Sequence, residues 1–167
     1  SHVFFRQSFD EQARDSPDLK IDYCYVDAAA MWMIREPWQF DVMVMENMFG
    51  DILSDLGAGL AGGMGMAPSA DLGDDHGVFQ PCHETAPDIV GQGLANPTAT
   101  ILLGAMLLEW LARRLGLERY REAAKLIRQA VDDAFGGGGV VPCELGGPDG
   151  TESVVTAVRR ELERVRM

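Results

Sequence analysis

Basic residues are scarce in this chain. It has 14 Lys and Arg against 26 Asp and Glu, for a formal net charge of −12 at pH 7. Nucleic acids and anionic membrane surfaces bind through basic patches, so this balance argues against both as partners. The chain could still bind small anionic ligands where a metal ion or local arginines reverse its negative electrostatic potential.

Cysteine is also scarce, and long apolar runs are absent. The three cysteines, Cys24, Cys82 and Cys143, are far apart and form no C-x-x-C pair. This pattern gives no zinc framework and fits a reducing cytoplasm. No run reaches the ~20 apolar residues of a membrane span, and no signal peptide is visible. We therefore expect a cytoplasmic protein whose 167 residues are enough to form a real core.

The chain is organised around residues 40–56. Apolar alternation over residues 40–44 predicts a strand, and a turn at Glu46 and Asn47 leads into a predicted helix. The helix carries apolar residues at helical spacing, which predicts a buried stripe. The stripe consists of Met48, Ile52, Leu53, Leu56 and Leu60.

Two acidic residues of this predicted helix, Asp51 and Asp55, are four positions apart, so their carboxylates share one face. Like charges at this spacing repel by roughly 0.2–0.5 kcal/mol on an exposed helix. A divalent cation would remove the repulsion, and Mg²⁺ and Mn²⁺ prefer hard oxygen ligands. The alternative is a solvated pair near a helix N-terminus, where the macrodipole favours acids, and spacing alone favours this alternative.

A third acid, Asp27, ends another predicted strand, residues 21–26. Ligand sites in open α/β sheets gather at the carboxyl ends of parallel strands. That geometry could bring Asp27 to Asp51 and Asp55, which would place three acids around one cation. The alternative is that Asp27 is a helix N-cap ahead of Ala28.

Gly57, Gly59 and Gly62 match the dinucleotide fingerprint G-x-G-x-x-G. The fingerprint requires a preceding strand and a helix that starts within it, whereas here a helix precedes it. We therefore predict that these glycines allow another helix to approach closely and then end their own helix.

The remaining elements follow from local signals. Residues 64–72 and 77–81 are predicted extended segments joined by an acidic turn. The apolar spacing of residues 98–115 predicts a helix that Gly116 ends, residues 117–135 predict a second helix, and Thr151 is predicted to cap a last helix, residues 152–165.

A polar loop, residues 82–96, follows the extended segment 77–81. In this loop a neutral His83 could stack on or hydrogen-bond to a nucleotide, and Asp88 could accept from a ribose 2′-hydroxyl. A plain loop histidine is the alternative, and His83 by itself favours it. The pair His83 and Glu84 does not begin a zincin motif, because the second histidine position is Pro87.

Several segments resemble the β-decarboxylating dehydrogenases, which act on isopropylmalate, isocitrate, homoisocitrate and tartrate. The resemblance covers nearly all of the chain, and the order of the motifs makes it highly specific. The segments are YVDAAAM (25–31), NMFGDILSD (47–55), PCHETAPDI (81–89), GQGLANPTA (91–99), and LGG with GT (145–147 and 150–151).

This resemblance implies an α/β protein with an isopropylmalate-dehydrogenase-like fold, of which the chain is the carboxyl-terminal portion. A start at Ser1 rather than Met fits that expectation. Residues 1–62 would belong to the second domain, with the metal site and the interface helices of a homodimer. Residues 63–167 would belong to the nucleotide-binding first domain.

The resemblance also implies a reaction, the oxidative decarboxylation of a 2-hydroxy (3-carboxy) acid with NAD as hydride acceptor. Mg²⁺ or Mn²⁺ would act as the Lewis acid, held by Asp27, Asp51 and Asp55. Asp88 followed by Ile89 is like the members that use NAD. The adenosine half of NAD would be held by His83, Glu84, Thr85, Ala86, Asp88 and Asn96.

Two departures from the family pattern limit this interpretation. The catalytic lysine and tyrosine and the substrate-binding arginines lie in the family's amino-terminal half, so the resemblance predicts no catalytic residue here. Glu84 stands where the family usually has Gly, and a Cβ with a charge could crowd or repel the cofactor phosphates. Two rival hypotheses remain. One is a truncated, non-catalytic homologue that binds a metal or a partner, and the other is a structural subunit that pairs with a full-length relative.

Overall fold

A computed structural model describes residues 2–165 of the chain. The chain divides into two compact units, one up to Gly57 and one from Ala58 onward, and the boundary lies inside a helix. No helix within the described residues is long and apolar enough to cross a membrane. The helices are α1 (His2–Ala13), α2 (Val26–Arg35), α3 (Asn47–Leu60), α4 (Thr98–Leu115), α5 (Glu118–Phe135) and α6 (Thr151–Val165), and the strands are β1 (Pro68–Leu72) and β2 (Gly77–Pro81).

The first unit contains α1, α2 and most of α3, and the two strands predicted for it do not form. Residues 21–25 and 40–46 have no regular structure, and α2 already begins at Val26. The strand predictions were therefore wrong. A strand needs a neighbour to pair its backbone groups, and the only sheet within residues 2–165 is the β1–β2 pair.

The apolar stripe of α3 is only partly buried, which corrects the prediction for that helix. Leu53 is buried, whereas Met48 and Ile52 are 60% and 56% exposed. Helix α1 has no buried residue at all, and its Val3 and Phe4 are more than two-thirds exposed. The first unit as described therefore presents a large apolar surface to solvent.

The glycine-rich segment, residues 57–65, ends α3, as predicted. Gly62 and Gly63 adopt positive φ of 114° and 125°, and the Gly63 amide donates to the Ala58 carbonyl at 2.8 Å. That bond closes the last turn of the helix in the manner of a Schellman motif.

The predicted close approach of another helix is not seen at Gly57 or Gly59. Within the first unit, a Cβ on Gly57 would lie 3.5 Å from the methyl carbon of Met33 on α2, which is ordinary van der Waals contact. A Cβ on Gly59 would meet nothing within 4 Å.

The second unit packs a β-hairpin and three long helices. Strands β1 and β2 pair antiparallel, and an acidic turn joins them as predicted. Phe79 on β2 meets Trp110 on α4 edge to face, with ring centroids 6.1 Å apart. Helix α4 has the predicted bounds and ends at a left-handed Gly116. The apolar core contains Ala130, Val131 and Ala134 of α5 and Val158 of α6, with Ile101 and Leu102 of α4 packed against it.

An ion pair between Glu109 and Arg128 joins α4 to α5. The guanidinium donates from Nε to Oε1 at 2.7 Å and from Nη2 to Oε2 at 3.0 Å. The hydrogen bond from Arg128 lowers the pKa of Glu109 below its ordinary value, although burial opposes the shift. A lowered pKa in the folded state means that the pair stabilises the fold above the unfolded pKa. That contribution is lost as the pH falls through the folded pKa.

We expect Glu109→Gln to reduce the free energy of unfolding at neutral pH by about 1 kcal/mol, since the pair is bidentate but partly screened by solvent. Urea denaturation at neutral and at acidic pH measures this, and the difference between the two proteins should shrink in acid. The control is Glu118→Gln, which removes an exposed pair with Arg121 within α5 and should cost only about 0.3 kcal/mol. An equal loss for Glu109→Gln at both pH values would contradict the expectation.

Candidate functional site

Helix α3 presents Asp51 and Asp55 on one exposed face, one turn apart. Its first turn contains no acidic residue, so the helix dipole offers no reason for the pair, because the dipole acts only on terminal turns. The ion pairs of the first unit join His2 with Glu46, Arg6 with Asp10, and Lys20 with Asp22. Within residues 2–57, therefore, no side-chain cation neutralises Asp51 or Asp55.

Asp27 lies in the first turn of α2 and is exposed. Its Oδ1 accepts from the Ala28 amide at 2.8 Å, while the N-cap position belongs to Tyr25, so the N-cap alternative for Asp27 was wrong. No three Asp, Glu, His or Cys side chains within residues 2–165 are grouped closely enough to hold a metal ion. The structure therefore does not bring Asp27 together with Asp51 and Asp55, and their assembly around one metal ion stays a prediction.

The two carboxylates of α3 fit a hard divalent cation by themselves. Mg²⁺ typically takes one or two protein carboxylates and completes its octahedron with water and substrate oxygens. Asp51 and Asp55 supply such a pair on one helix face, exposed and uncompensated. The donor set therefore suits Mg²⁺ or Mn²⁺ and does not suit a softer metal that prefers sulfur or imidazole.

The loop predicted to hold the nucleotide, residues 82–96 and here called the nucleotide loop, connects β2 to α4. It contains one short 3₁₀ turn, Pro87–Ile89, and Ala86 just before it adopts a left-handed conformation with φ 42°. The side chains of Glu84, Thr85, Ala86 and Asp88 are exposed. Four of the six predicted cofactor-binding residues are thus open to a ligand.

His83 has a defined tautomer in this arrangement. Its Nδ1 lies 3.0 Å from the carbonyl oxygen of Glu84, and a carbonyl can only accept, so Nδ1 must donate. In the neutral ring Nε2 is then an acceptor. His83 can therefore receive a hydrogen bond from an amine or hydroxyl of a ligand.

The loop carries two exposed carboxylates and neither Lys nor Arg. Asp88 is held through its backbone, because the side-chain amide of Gln92 donates to its carbonyl at 2.6 Å. Its carboxylate is exposed and can accept from ribose hydroxyls. Glu84 adds a second negative charge, and residues 82–97 contain no Lys or Arg to offset it.

Asn96 differs from the other predicted cofactor residues because it is buried, with 8% of its surface exposed. Its Oδ1 accepts from the amide and the hydroxyl of Thr98 at 3.1 and 2.7 Å. Its Nδ2 donates to Oε2 of Glu144 at 3.1 Å and to the sulfur of Met66 at 3.2 Å. Both polar ends of the side chain are occupied, so a contact of Asn96 with a cofactor would come from its backbone.

Sequence reasoning missed Glu144, which holds the buried end of the nucleotide loop. It lies in the 3₁₀ turn Cys143–Leu145, and 48 residues separate it from Asn96. No local periodicity or spacing marks such a residue. The family-like segments LGG and GT, residues 145–147 and 150–151, are the only sequence signal close to it.

Glu161 is the buried acid of the described residues, and its environment excludes a proton-transfer role. Burial raises the pKa of this carboxyl, but the hydrogen bonds from Arg160 and Arg164 outweigh it and lower the pKa. Those bonds occupy both carboxylate oxygens at 3.0 and 2.8 Å. Glu161 is therefore an ionised structural group of α6.

The family comparison covers almost the whole chain. A family model described as isocitrate/isopropylmalate dehydrogenase matches residues 1–158. The isocitrate/homoisocitrate dehydrogenase of Thermus thermophilus is 45% identical over 159 residues, which are 95% of this chain and 45% of that protein. The 3-isopropylmalate/3-methylmalate dehydrogenase of Methanocaldococcus jannaschii is 43% identical over 161 residues, which are 94% of this chain and 46% of that protein. The chain thus spans a little under half the length of these relatives.

Solved structures agree with the sequence comparison. The isocitrate dehydrogenase from Methylococcus capsulatus superposes with a TM-score of 0.85 at 41% identity, over 98% of this chain and 46% of that one. A β-decarboxylating dehydrogenase from Thermococcus kodakarensis gives a TM-score of 0.81 at 38% identity, again over 98% of this chain and 46% of that one. The predicted fold, the carboxyl-terminal portion of the isopropylmalate-dehydrogenase-like fold, is confirmed. The chain belongs to the isocitrate/isopropylmalate dehydrogenase family.

Proposed function

We propose that this chain supplies the metal-binding and adenosine-binding parts of an NAD-dependent β-decarboxylating dehydrogenase. The substrate class is a 2-hydroxy (3-carboxy) acid such as 3-isopropylmalate, isocitrate or tartrate. The observation that carries the proposal is identity above 40% across nearly the whole chain to dehydrogenases named for such acids. The assignment of residues 1–62 to the metal-site domain and of residues 63–167 to the nucleotide domain is part of the proposal.

Asp51 and Asp55 would hold the metal ion from one rigid helix face, with Asp27 as the third carboxylate. Bound Mg²⁺ or Mn²⁺ supplies Lewis acidity toward the hydroxyl and carbonyl oxygens of the substrate. The helix fixes the spacing of the two carboxylates, so little ordering is needed on binding. Their mutual repulsion in the apo form also favours the ion, since binding relieves it.

The nucleotide loop would hold the adenosine half of NAD. Nε2 of His83 can accept from an amine of the base, and the carboxylate of Asp88 can accept from ribose hydroxyls. A carboxylate at that position disfavours a 2′-phosphate by charge repulsion, which selects NAD over NADP. Glu84 is the feature that opposes this function, because it adds negative charge where the family usually has Gly.

The exposed apolar residues of the first unit support a homodimer of the full-length protein. Val3 and Phe4 of α1 and Ile52 of α3 are each more than half exposed. Single exposed apolar residues are common, so these residues support the homodimer only together with the family resemblance that implies it. The cytoplasmic location is a separate proposal that rests on the cysteine pattern. Cys24, Cys82 and Cys143 form no disulfide, as expected in a reducing compartment.

The chain by itself is expected to bind NAD and Mn²⁺ but not to reduce NAD with 3-isopropylmalate, isocitrate or tartrate. None of its motifs matches the family's catalytic lysine and tyrosine, so proton transfer has no candidate here. Calorimetric titration measures binding, and the absorbance of NADH measures turnover.

The outcomes of this experiment separate the hypotheses. Turnover by the chain by itself would contradict the placement of the proton-transfer groups elsewhere. Mn²⁺ binding without NAD binding would favour the truncated, non-catalytic homologue.

A further inference from the structure

Glu144 lies where three separate segments of the second unit meet. Its Oε1 accepts from the Gly65 amide at 3.0 Å, and its Oε2 accepts from Nδ2 of Asn96 at 3.1 Å. One carboxylate thus joins the glycine-rich segment after α3 to the end of the nucleotide loop, from a third position near the start of α6. All these groups belong to the second compact unit.

The glycine-rich segment is shaped to receive this carboxylate. A Cβ on Gly63 or on Gly65 would collide with the Glu144 carboxyl group, and one on Gly65 would also lie 2.7 Å from Cβ of Asn96. Gly65 is buried, and Gly63 has a φ of 125° that disfavours any other residue. Bare backbone at these positions therefore lets the carboxylate reach the Gly65 amide.

Glu144 also fixes the orientation of the Asn96 amide. A carboxylate can only accept, so the nitrogen of Asn96 must face Glu144 and the oxygen must face Thr98. Two donors from Thr98 confirm that orientation, at 3.1 and 2.7 Å. The backbone of Asn96, the part left to contact a cofactor, is thereby held in one conformation.

The start of α6 holds the same end of the loop by a second route. The Thr151 amide donates to the Gly93 carbonyl at 2.8 Å, and the Thr151 hydroxyl donates to the Ala95 carbonyl at 2.5 Å. The predicted capping role of Thr151 is thus replaced by a bond to the loop, since α6 begins at Thr151 itself. Residues 93–96 are consequently anchored, while the exposed residues 84–88 carry the groups that face a ligand.

We propose that Glu144 is a positioning residue for the adenosine site. It holds Asn96, and with it the buried end of the nucleotide loop, in the conformation that accepts NAD. The inference rests on the proposed function, and it adds a residue that does not touch the cofactor. Its effect on NAD acts entirely through Asn96.

Glu144→Gln tests the proposal, because a glutamine has one acceptor and two donors arrive from Gly65 and Asn96. In the 167-residue chain, we expect the Kd for NAD to rise at least about fivefold, the effect of one lost hydrogen bond. Without NAD, hydrogen exchange at the Gly65 amide should accelerate by about the same factor. The matched control is Glu163→Gln, which removes the same charge from an exposed position near the far end of α6 and should change neither quantity.

The double variant Asn96→Asp with Glu144→Gln exchanges the two side-chain chemistries. The introduced glutamine could then accept from the Gly65 amide and donate to the introduced aspartate, which still accepts from Thr98 and loses only the weaker bond from Asn96 to the Met66 sulfur. NAD affinity should therefore return to within about twofold of wild type.

Three outcomes decide whether Glu144 positions the adenosine site, is only a structural residue, or belongs to a chain that does not bind NAD. Faster exchange with unchanged NAD affinity in Glu144→Gln would reduce Glu144 to a structural residue and overturn the proposal. Failure of the exchanged pair to restore affinity would also overturn it. A wild-type chain that binds no NAD would contradict the proposed function itself, whereas the exchange rates separately show whether Glu144 holds the loop.

Discussion

Replacing Asp51 or Asp55 by Asn is expected to weaken Mn²⁺ binding about ten- to a hundredfold, the range measured even for groups that only support metal ligands. Each substitution keeps the shape of the side chain and replaces a charged oxygen by a neutral amide oxygen. The two carboxylates are exposed on one face of α3, and no side-chain cation within residues 2–57 competes for them. Removing one of the two carboxylate charges therefore removes a large part of the electrostatic attraction for Mn²⁺.

The stability of the apo protein distinguishes loss of a ligand from loss of the fold. Without metal, Asp51→Asn relieves a like-charge pair and should stabilise α3 by roughly 0.2–0.5 kcal/mol. Affinity should thus fall while thermal stability is unchanged or rises. A fall in both the Mn²⁺ affinity and the thermal stability would mean that Asp51→Asn damages the fold. Asp55→Asn then provides the second test of the metal site.

Calorimetric titration with Mn²⁺ measures the effect, and Asp41→Asn is the matched control. Asp41 is an exposed acid that precedes α3 and lies outside the pair, so its loss changes net charge by the same amount. Asp27→Asn, titrated in the same series, determines whether the third carboxylate contributes. Wild-type affinity in both the Asp51 and Asp55 variants would rule out the metal site on α3.

Replacing Glu84 by Gly is expected to tighten NAD binding about tenfold. In a water-like dielectric, a phosphate charge between contact and one Debye length from a carboxylate repels it by roughly 0.5–1 kcal/mol, so two such charges together give a repulsion of the order of a factor of ten. Glu84 is exposed, and no Lys or Arg within residues 82–97 offsets it. The substitution also removes the Cβ, so the backbone can approach the cofactor more closely.

Glu84→Gln separates the two contributions, because it removes the charge and keeps the side chain. If repulsion dominates, the glutamine variant should recover most of the gain, and the gain should shrink at high salt. If crowding dominates, only the glycine variant should bind more tightly. Glu122→Gln, an exposed change on α5, controls for net charge. Equal NAD affinity in wild type and both Glu84 variants would show that Glu84 does not oppose the cofactor.

The helices could be predicted from the sequence because their signals are local. The apolar spacing of α4 and the glycine after it predicted its bounds, Thr98–Leu115, and a left-handed Gly116 does end it. The strands over residues 21–26 and 40–44 could not be predicted from alternation. A strand exists only where another strand pairs with it, and no local pattern shows whether that partner is present.

The sequence by itself determined the family, the placement of two acids on one face of α3 and the polar character of the exposed loop after β2. Asp51 and Asp55 share a face because residues four apart on a helix always do, whatever surrounds them. The burial of Asn96, its fully occupied side chain and the role of Glu144 were decided only by the tertiary structure. Their partners are 48 residues apart in the chain, and a hydrogen bond over that distance depends on how the helices pack rather than on any neighbouring residue.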